Sequence, residues 1–172
     1  YVKEKGSSTL SENKSTDNSR VILALSAIGK DARNVAGYNL LEPYADLEYV
    51  TWQGINGPVF ALIALDTYGY DIPTDSSVSE QTTREKLVDY ILENVLENGG
   101  WTFFGTTADP DMTGMAIQAL APYYNTNEAV KTALQACVDE GCNIIFTTSW
   151  GYMDMTEELA AQYPDIYFCH GT

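Results

Sequence analysis

The sequence predicts a mainly α chain whose α-hairpins form an inner and an outer layer, followed by a short βαβ-like segment at the C-terminal end. Three observations carry this prediction. An apolar block recurs as ALSAI from Ala24, ALIAL from Ala61 and AIQAL from Ala116, each after a cap-like residue and a loop, which marks an internal repeat. A helix with a different, amphipathic pattern lies between the second and third blocks. After about Ala133 the pattern changes to helix, strand, helix, strand, the order of a parallel-sheet unit.

The first block belongs to a helix predicted over 19–28, with Asp17 or Asn18 as its cap. The second belongs to a helix over 57–68, with Asn56 as cap and Pro58 in the first turn, where its missing N–H costs nothing. Both are apolar on nearly every face, which implies burial on several sides. The helix over 83–97 differs. Leu87, Val88, Ile91, Leu92, Val95 and Leu96 make one stripe, with Arg84, Glu85, Asp89, Glu93 and Glu97 off it, so one face meets water. Alternating all-apolar and amphipathic helices suit two concentric layers of hairpins; a plain helical bundle also fits. Further on come a helix over 127–140, Gly141, the strand NIIFTT over 143–148, the turn SWGY, a helix over 153–162 ended by Pro164, and a second strand, IYFC. A lone pair of parallel strands is marginal without the rest of its sheet.

Bulk properties set limits. A chain of 172 residues has the length of one domain with a real core. Its formal charge of −15 and pI of about 4.1 argue against nucleic acid or an anionic membrane as partner, since both would repel it. No apolar run approaches the roughly 20 residues that a membrane-spanning helix needs. Residues 1–16 read as a polar linker entering from something upstream, so a fragment of a longer protein is expected. Cys137, Cys142 and Cys169 have neither CxxC spacing nor an even count, so free thiols are expected. No residue pattern calls for a metal or a cofactor.

The run REKLVDYILENVLENGGWTFFGTTADPDMTGMAIQALAPYY resembles a repeat of the α/α-toroid superfamily, which includes terpene cyclases, prenyltransferase β-subunits and cobalamin carriers. Gly99, Gly100 and Trp101 match its Gly-Gly-aromatic turn, and WQGINGPVFALIALDTYGYDIP fits the same scheme. The resemblance covers about residues 17–135 and implies a partial α/α toroid, an arc of hairpins. Missing hairpins or a neighbouring domain would then cover its apolar inner wall. The tail over about residues 134–170, through the run ACVDEGCNIIFTTSWGYMDMTEELAAQYPDIYF, resembles the basic-membrane-protein family of nucleoside-binding ABC-transporter lipoproteins. That resemblance makes residues 136–172 a βαβ-like fragment of a periplasmic-binding-protein lobe. It also places Ser149, Trp150, Tyr152 and Asp154 near a ligand cleft, with Trp150 as a base-stacking group.

ADPDMTG raises the question of acid catalysis. A class II terpene cyclase uses D-x-D-D, whereas Asp109-Pro110-Asp111-Met112 lacks the last carboxylate. A prenyltransferase needs zinc held by Asp, Cys and His, and the one histidine, His170, lies outside the resemblance. Capping by Asp111 of a helix over 112–123 is the expectation. Loop aromatics, Trp52, Trp101 and Phe103 among them, either pack hairpins together or present rings to a sugar, a flat cofactor edge or a protein partner. The leading expectation is a non-catalytic secreted or cell-surface toroid module that binds a protein or small-molecule partner. The alternatives are a nucleoside-type solute-binding fragment, an isoprenoid enzyme and a cobalamin-carrier-like binder.

Overall fold

The structure, a computed structural model, describes residues 1–97, 99–124, 127–147 and 152–170. These residues are mainly helical, with one two-stranded parallel sheet among them. The chain forms two compact units, Tyr1–Leu120 and Ala121–Thr172. The helix through which the sequence reading draws its boundary at 135–136 lies wholly in the second unit.

In the first unit α1 (Val2–Lys5), α2 (Ser15–Ala27), a 3₁₀ turn (Glu42–Ala45), α3 (Leu47–Thr51), α4 (Asn56–Asp66) and α5 (Arg84–Glu93) follow in order. The helix α6 (Pro110–Tyr124) starts in this unit. Helix α4 packs against α2, α3 and α5 and buries Gly57, Pro58, Val59, Ala61, Leu62, Ala64 and Leu65. Its all-round apolar sequence is therefore covered on several sides. Pro58 sits in the first turn as expected, but Asn56 is the first helical residue rather than a cap, after Ile55 with no capping side chain.

Helix α2 corrects two expectations. It begins at Ser15, four residues earlier than predicted, so Asp17 and Asn18 lie inside it and cap nothing. The residues it buries are Ser15, Thr16, Asn18, Ser19 and Ile22, while Ala24, Ala27 and Ile28 of the ALSAI stretch are exposed. The polar groups go inward because each finds a partner. Ser15 donates to Val50 O at 3.2 Å, Ser19 Oγ lies 2.5 Å from the Tyr44 hydroxyl, and Gln53 Oε1 accepts from the Thr16 N–H and hydroxyl. Gly57 lets α4 reach this seam, since a Cβ there would lie 1.7 Å from Val50 O.

Residues 1–16 take part in the packing. Val2 and Leu10 are buried. Asn18, fully buried, accepts from the Leu10 N–H and donates to Ser8 O and Leu40 O. Helix α5 is capped by Thr83, whose hydroxyl accepts from the Lys86 N–H at 3.2 Å. It ends at Glu93 rather than running to 97, so Leu87 and Ile91 are buried while Val95 is exposed. Arg84 ties its start to α4 through Asp66 Oδ1 at 3.0 Å and to Tyr70 O at 2.7 Å.

The second unit contains α7 (Asn127–Asp139), β1 (Ile144–Thr147), α8 (Met153–Gln162) and β2 (Tyr167–His170). The strands pair in parallel, Ile144 beside Tyr167 and Thr147 beside His170, with α8 as the crossover between them. Val130, Leu134, Ile145, Met155 and Leu159 form the core. Val130 and Leu134, four residues apart on α7, thus share the face that packs on α8 and one side of the sheet. Lys131 with Glu158 at 2.5 Å and Tyr163 with Gln135 at 3.0 Å tie α7 to the α8 region.

Candidate functional site

The β1–α8 connection is the part of the second unit where a ligand is expected, because ligands of parallel α/β sheets bind beyond the C-terminal ends of the strands. Alternation along β1 turns Ile145 and Thr147 inward and leaves Ile144 and Phe146 outside. Thr147 is buried, with its hydroxyl 3.1 Å from that of Thr156, which also donates to Tyr152 O at 2.6 Å. A hydroxyl has one proton. With Thr156's on the carbonyl, Thr147 supplies the proton between the two, and the pair fixes the start of α8 to the end of β1.

Tyr152 is half-buried and packs on the Val130–Leu159 core. Asp154 is exposed in the first turn of α8, where the helix dipole favours a carboxylate. It is not the cap, since Tyr152 occupies that position without a capping side chain. Tyr152 and Asp154 thus stand at the start of α8, which the Thr147–Thr156 contact ties to the end of β1. Ser149 and Trp150 lie outside the described residues.

In the first unit the three aromatic candidates separate. Trp52 follows α3 and is 65 % exposed, beside a concavity of about 200 Å³ also lined by Glu12, Asp46, Glu48 and Tyr49. Burial, reinforced by the Asp17 carboxylate, pushes the Tyr49 hydroxyl up to about 12. Trp101 is buried, and its indole N–H donates to Ile91 O at 2.6 Å. The expectation that Trp101 presents its ring to a ligand is corrected. The ring closes the end of α5, where carbonyls lack helical partners. Phe103 is partly exposed and meets the exposed Phe104 edge to face at 4.2 Å.

The ADPDMTG question also resolves. Asp109, not Asp111, caps α6, accepting from the Met112 N–H at 2.9 Å with Pro110 as first helical residue. Asp111 is exposed in the first turn. Met112, in the fourth position of the cyclase motif, is buried. Among the described residues no three His, Cys, Asp or Glu side chains are grouped to hold a metal ion, and no helix is long and apolar enough to cross a membrane. Cys137, Cys142 and Cys169 are free thiols.

Sequence reasoning missed the seam of Ser15, Ser19 and Tyr44, where burial drives the Tyr44 hydroxyl far above the usual tyrosine range, partly offset by the bond to Ser19. It also missed the loop before α2 that Asn18 holds. The polar residues of that loop look like linker until their long-range partners are known.

The chain is 30% identical over 77 residues to a purine-binding protein of Brucella abortus (strain 2308), a match covering 42% of this chain and 22% of that relative. The chain thus spans about a fifth of the relative it matches. No protein-family profile matches the chain, and no solved structure matches it.

Proposed function

We propose that the chain is a non-catalytic binding module whose second unit supplies one β-α-β segment of a purine- or nucleoside-type ligand site. The carrying observation is the parallel β1–α8–β2 unit with Tyr152 and Asp154 just beyond the C-terminal end of β1. The limited likeness to a purine-binding protein supports the same reading. In it Tyr152 offers an aromatic edge to a base, and Asp154 accepts hydrogen bonds from a ribose or an exocyclic amine. Ser149 and Trp150 complete the candidate set by resemblance alone.

The first unit is read as a helical interaction module, with an arc of toroid hairpins as its finer arrangement. The observation favouring that arrangement is α4, an all-apolar helix packed against α2 and the amphipathic α5. An extracellular or cell-surface setting goes with both resemblances. Cyclase chemistry is not assigned, because the Asp109 carboxylate is engaged in capping.

Hydrogen exchange read by mass spectrometry on the intact chain tests the purine reading. Adenosine, guanosine or hypoxanthine at millimolar concentration is expected to slow exchange in residues 144–147 and 153–162, while uridine does not. Asp154→Ala is expected to weaken the effect about tenfold, the scale of one lost charge-assisted hydrogen bond. Equal protection with uridine, or none with any purine, would sink the proposal.

A further inference from the structure

A second candidate surface, on the first unit, is independent of the purine reading. The loop between α1 and α2 forms the wall of a groove of about 730 Å³ whose lining includes Lys5, Thr9, Ser11, Glu12, Asn13 and Asp17. Glu12 also lines the concavity beside Trp52, and Asp17 is close enough to Tyr49 to raise its pKa. The two hollows therefore adjoin at Glu12, the larger one mainly polar and the smaller one ending on an exposed indole.

The groove is built rather than incidental. Asn18 holds the loop from beneath through Leu10 N at 2.9 Å and Ser8 O at 2.7 Å, and the Tyr49 hydroxyl donates to Ser11 O at 2.9 Å. A loop fixed in advance loses little entropy when a ligand binds. Among the described residues the Glu12 and Asp17 carboxylates and the Thr9 hydroxyl make no hydrogen bond with the protein, so their bonding capacity faces the groove.

We infer that this groove binds a neutral oligosaccharide, one pyranose ring lying on Trp52 and its neighbours reaching Glu12, Asp17 and the loop hydroxyls. A sugar ring has an apolar C–H face and a rim of hydroxyls. The electron-rich indole face attracts the first, and carboxylates, hydroxyls and an ammonium group serve the second, each bond to a charged group adding more than a neutral one. Four carboxylates, Glu12, Asp17, Asp46 and Glu48, stand against the single ammonium of Lys5, so an acidic polysaccharide is repelled. A basic peptide satisfies the charge but not the shape. Leu10 is buried under the loop, so the larger hollow presents a mainly polar lining, whereas an extended peptide is recognised through pockets for its alternate side chains.

Calorimetric titration of the intact protein tests this with cellohexaose, xylohexaose, chitohexaose, maltohexaose and, separately, pentalysine. At least one hexasaccharide is expected to bind saturably with Kd between about 10 μM and 1 mM. Trp52→Ala should weaken that binding at least tenfold and Glu12→Gln severalfold. Both residues are exposed, so melting temperatures should not change, and Asp154→Ala should leave sugar binding intact, which separates this proposal from the purine site. The inference is overturned if no hexasaccharide saturates below about 10 mM, or if binding survives Trp52→Ala. It is equally overturned if pentalysine alone binds through Trp52, which would make the surface a docking site for a basic segment.

Discussion

The two units bury their apolar residues in different ways. In the first, large side chains from widely separated segments reach zero or near-zero exposure: Leu10, Ile22, Leu40, Tyr44, Leu62, Tyr70, Leu87 and Ile91. In the second, the core among the described residues is a cluster of five, of which Leu159 alone is fully inaccessible. The pairing of Ile144 with Tyr167 and of Phe146 with Cys169 puts these residues on one sheet face, where Phe146 and Tyr167 are 70 % and 72 % exposed. Parallel sheets are normally covered on both faces. The first unit closes its core with its own loops, whereas the second covers one face of its sheet and leaves an apolar one open. The lesson is that local patterning completes a β-α-β segment without completing the layer it belongs to.

Gly57→Ala is the sharpest way to break the first unit. The added methyl would meet Val50 O at 1.7 Å, and backbone cannot yield as a flexible side chain can. The expected loss is about 3 kcal/mol or more, seen as a lower urea midpoint for the first unit while exchange protection in 144–147 and 153–162 persists. Leu159→Ala is the mirror test. It should cost about 2 to 4 kcal/mol and remove protection from the second unit only. Phe146→Thr, on the exposed face, should change stability by less than about 0.5 kcal/mol. A large loss there would mean that something covers the face.

A smaller effect separates the two aspartates at the start of α6. Asp109→Ala should cost about 1 kcal/mol through the lost bond to the Met112 N–H, and Asp111→Ala only a few tenths through the dipole. Chemical denaturation of both variants checks the order, and equal losses would return Asp111 to the cap.

These comparisons show which features were legible in the sequence. The recurring apolar block located α4 and the one-sided stripe located α5, and the order helix, strand, helix, strand gave α7, α8 and the parallel pair. Those signals are local. The start of α2 was not legible, because Ser15, Ser19 and Asn18 are inward only by virtue of Val50, Tyr44, Leu10 and Leu40, 8 to 35 residues away. Composition reads such residues as surface. The cap at Asp109 had an available signal, proline in the first helical position, which favours the residue before it as cap. At the candidate sites the chemistry was legible but the exposure was not. Trp52 and Trp101 are the same residue type in similar loops, yet one faces water and the other is buried, because a carbonyl at the end of α5 lies within reach of its indole.

Alkaline titration gives the last test, one that has no effect at neutral pH and reports on the first unit alone. Tyr44 and Tyr49 both have folded pKa values raised above the ordinary 10.0, chiefly by burial. Between pH 10 and about 12 the unfolded tyrosines lose their protons while Tyr49 in the folded protein keeps its own. The native state then binds more protons, so stability falls as pH rises. The contribution is fully present below pH 10 and declines through the folded pKa, with Tyr44 pushing the loss higher still. Tyrosinate absorbance should show Tyr44 and Tyr49 ionising in a late phase, as the first unit unfolds. Tyr44→Phe should remove one of them from that late phase, and it leaves the Ser19 hydroxyl with its bond to Ser15 O at 3.2 Å. If the late phase instead kept its amplitude in Tyr44→Phe, the buried seam of α2 would not be what holds those protons.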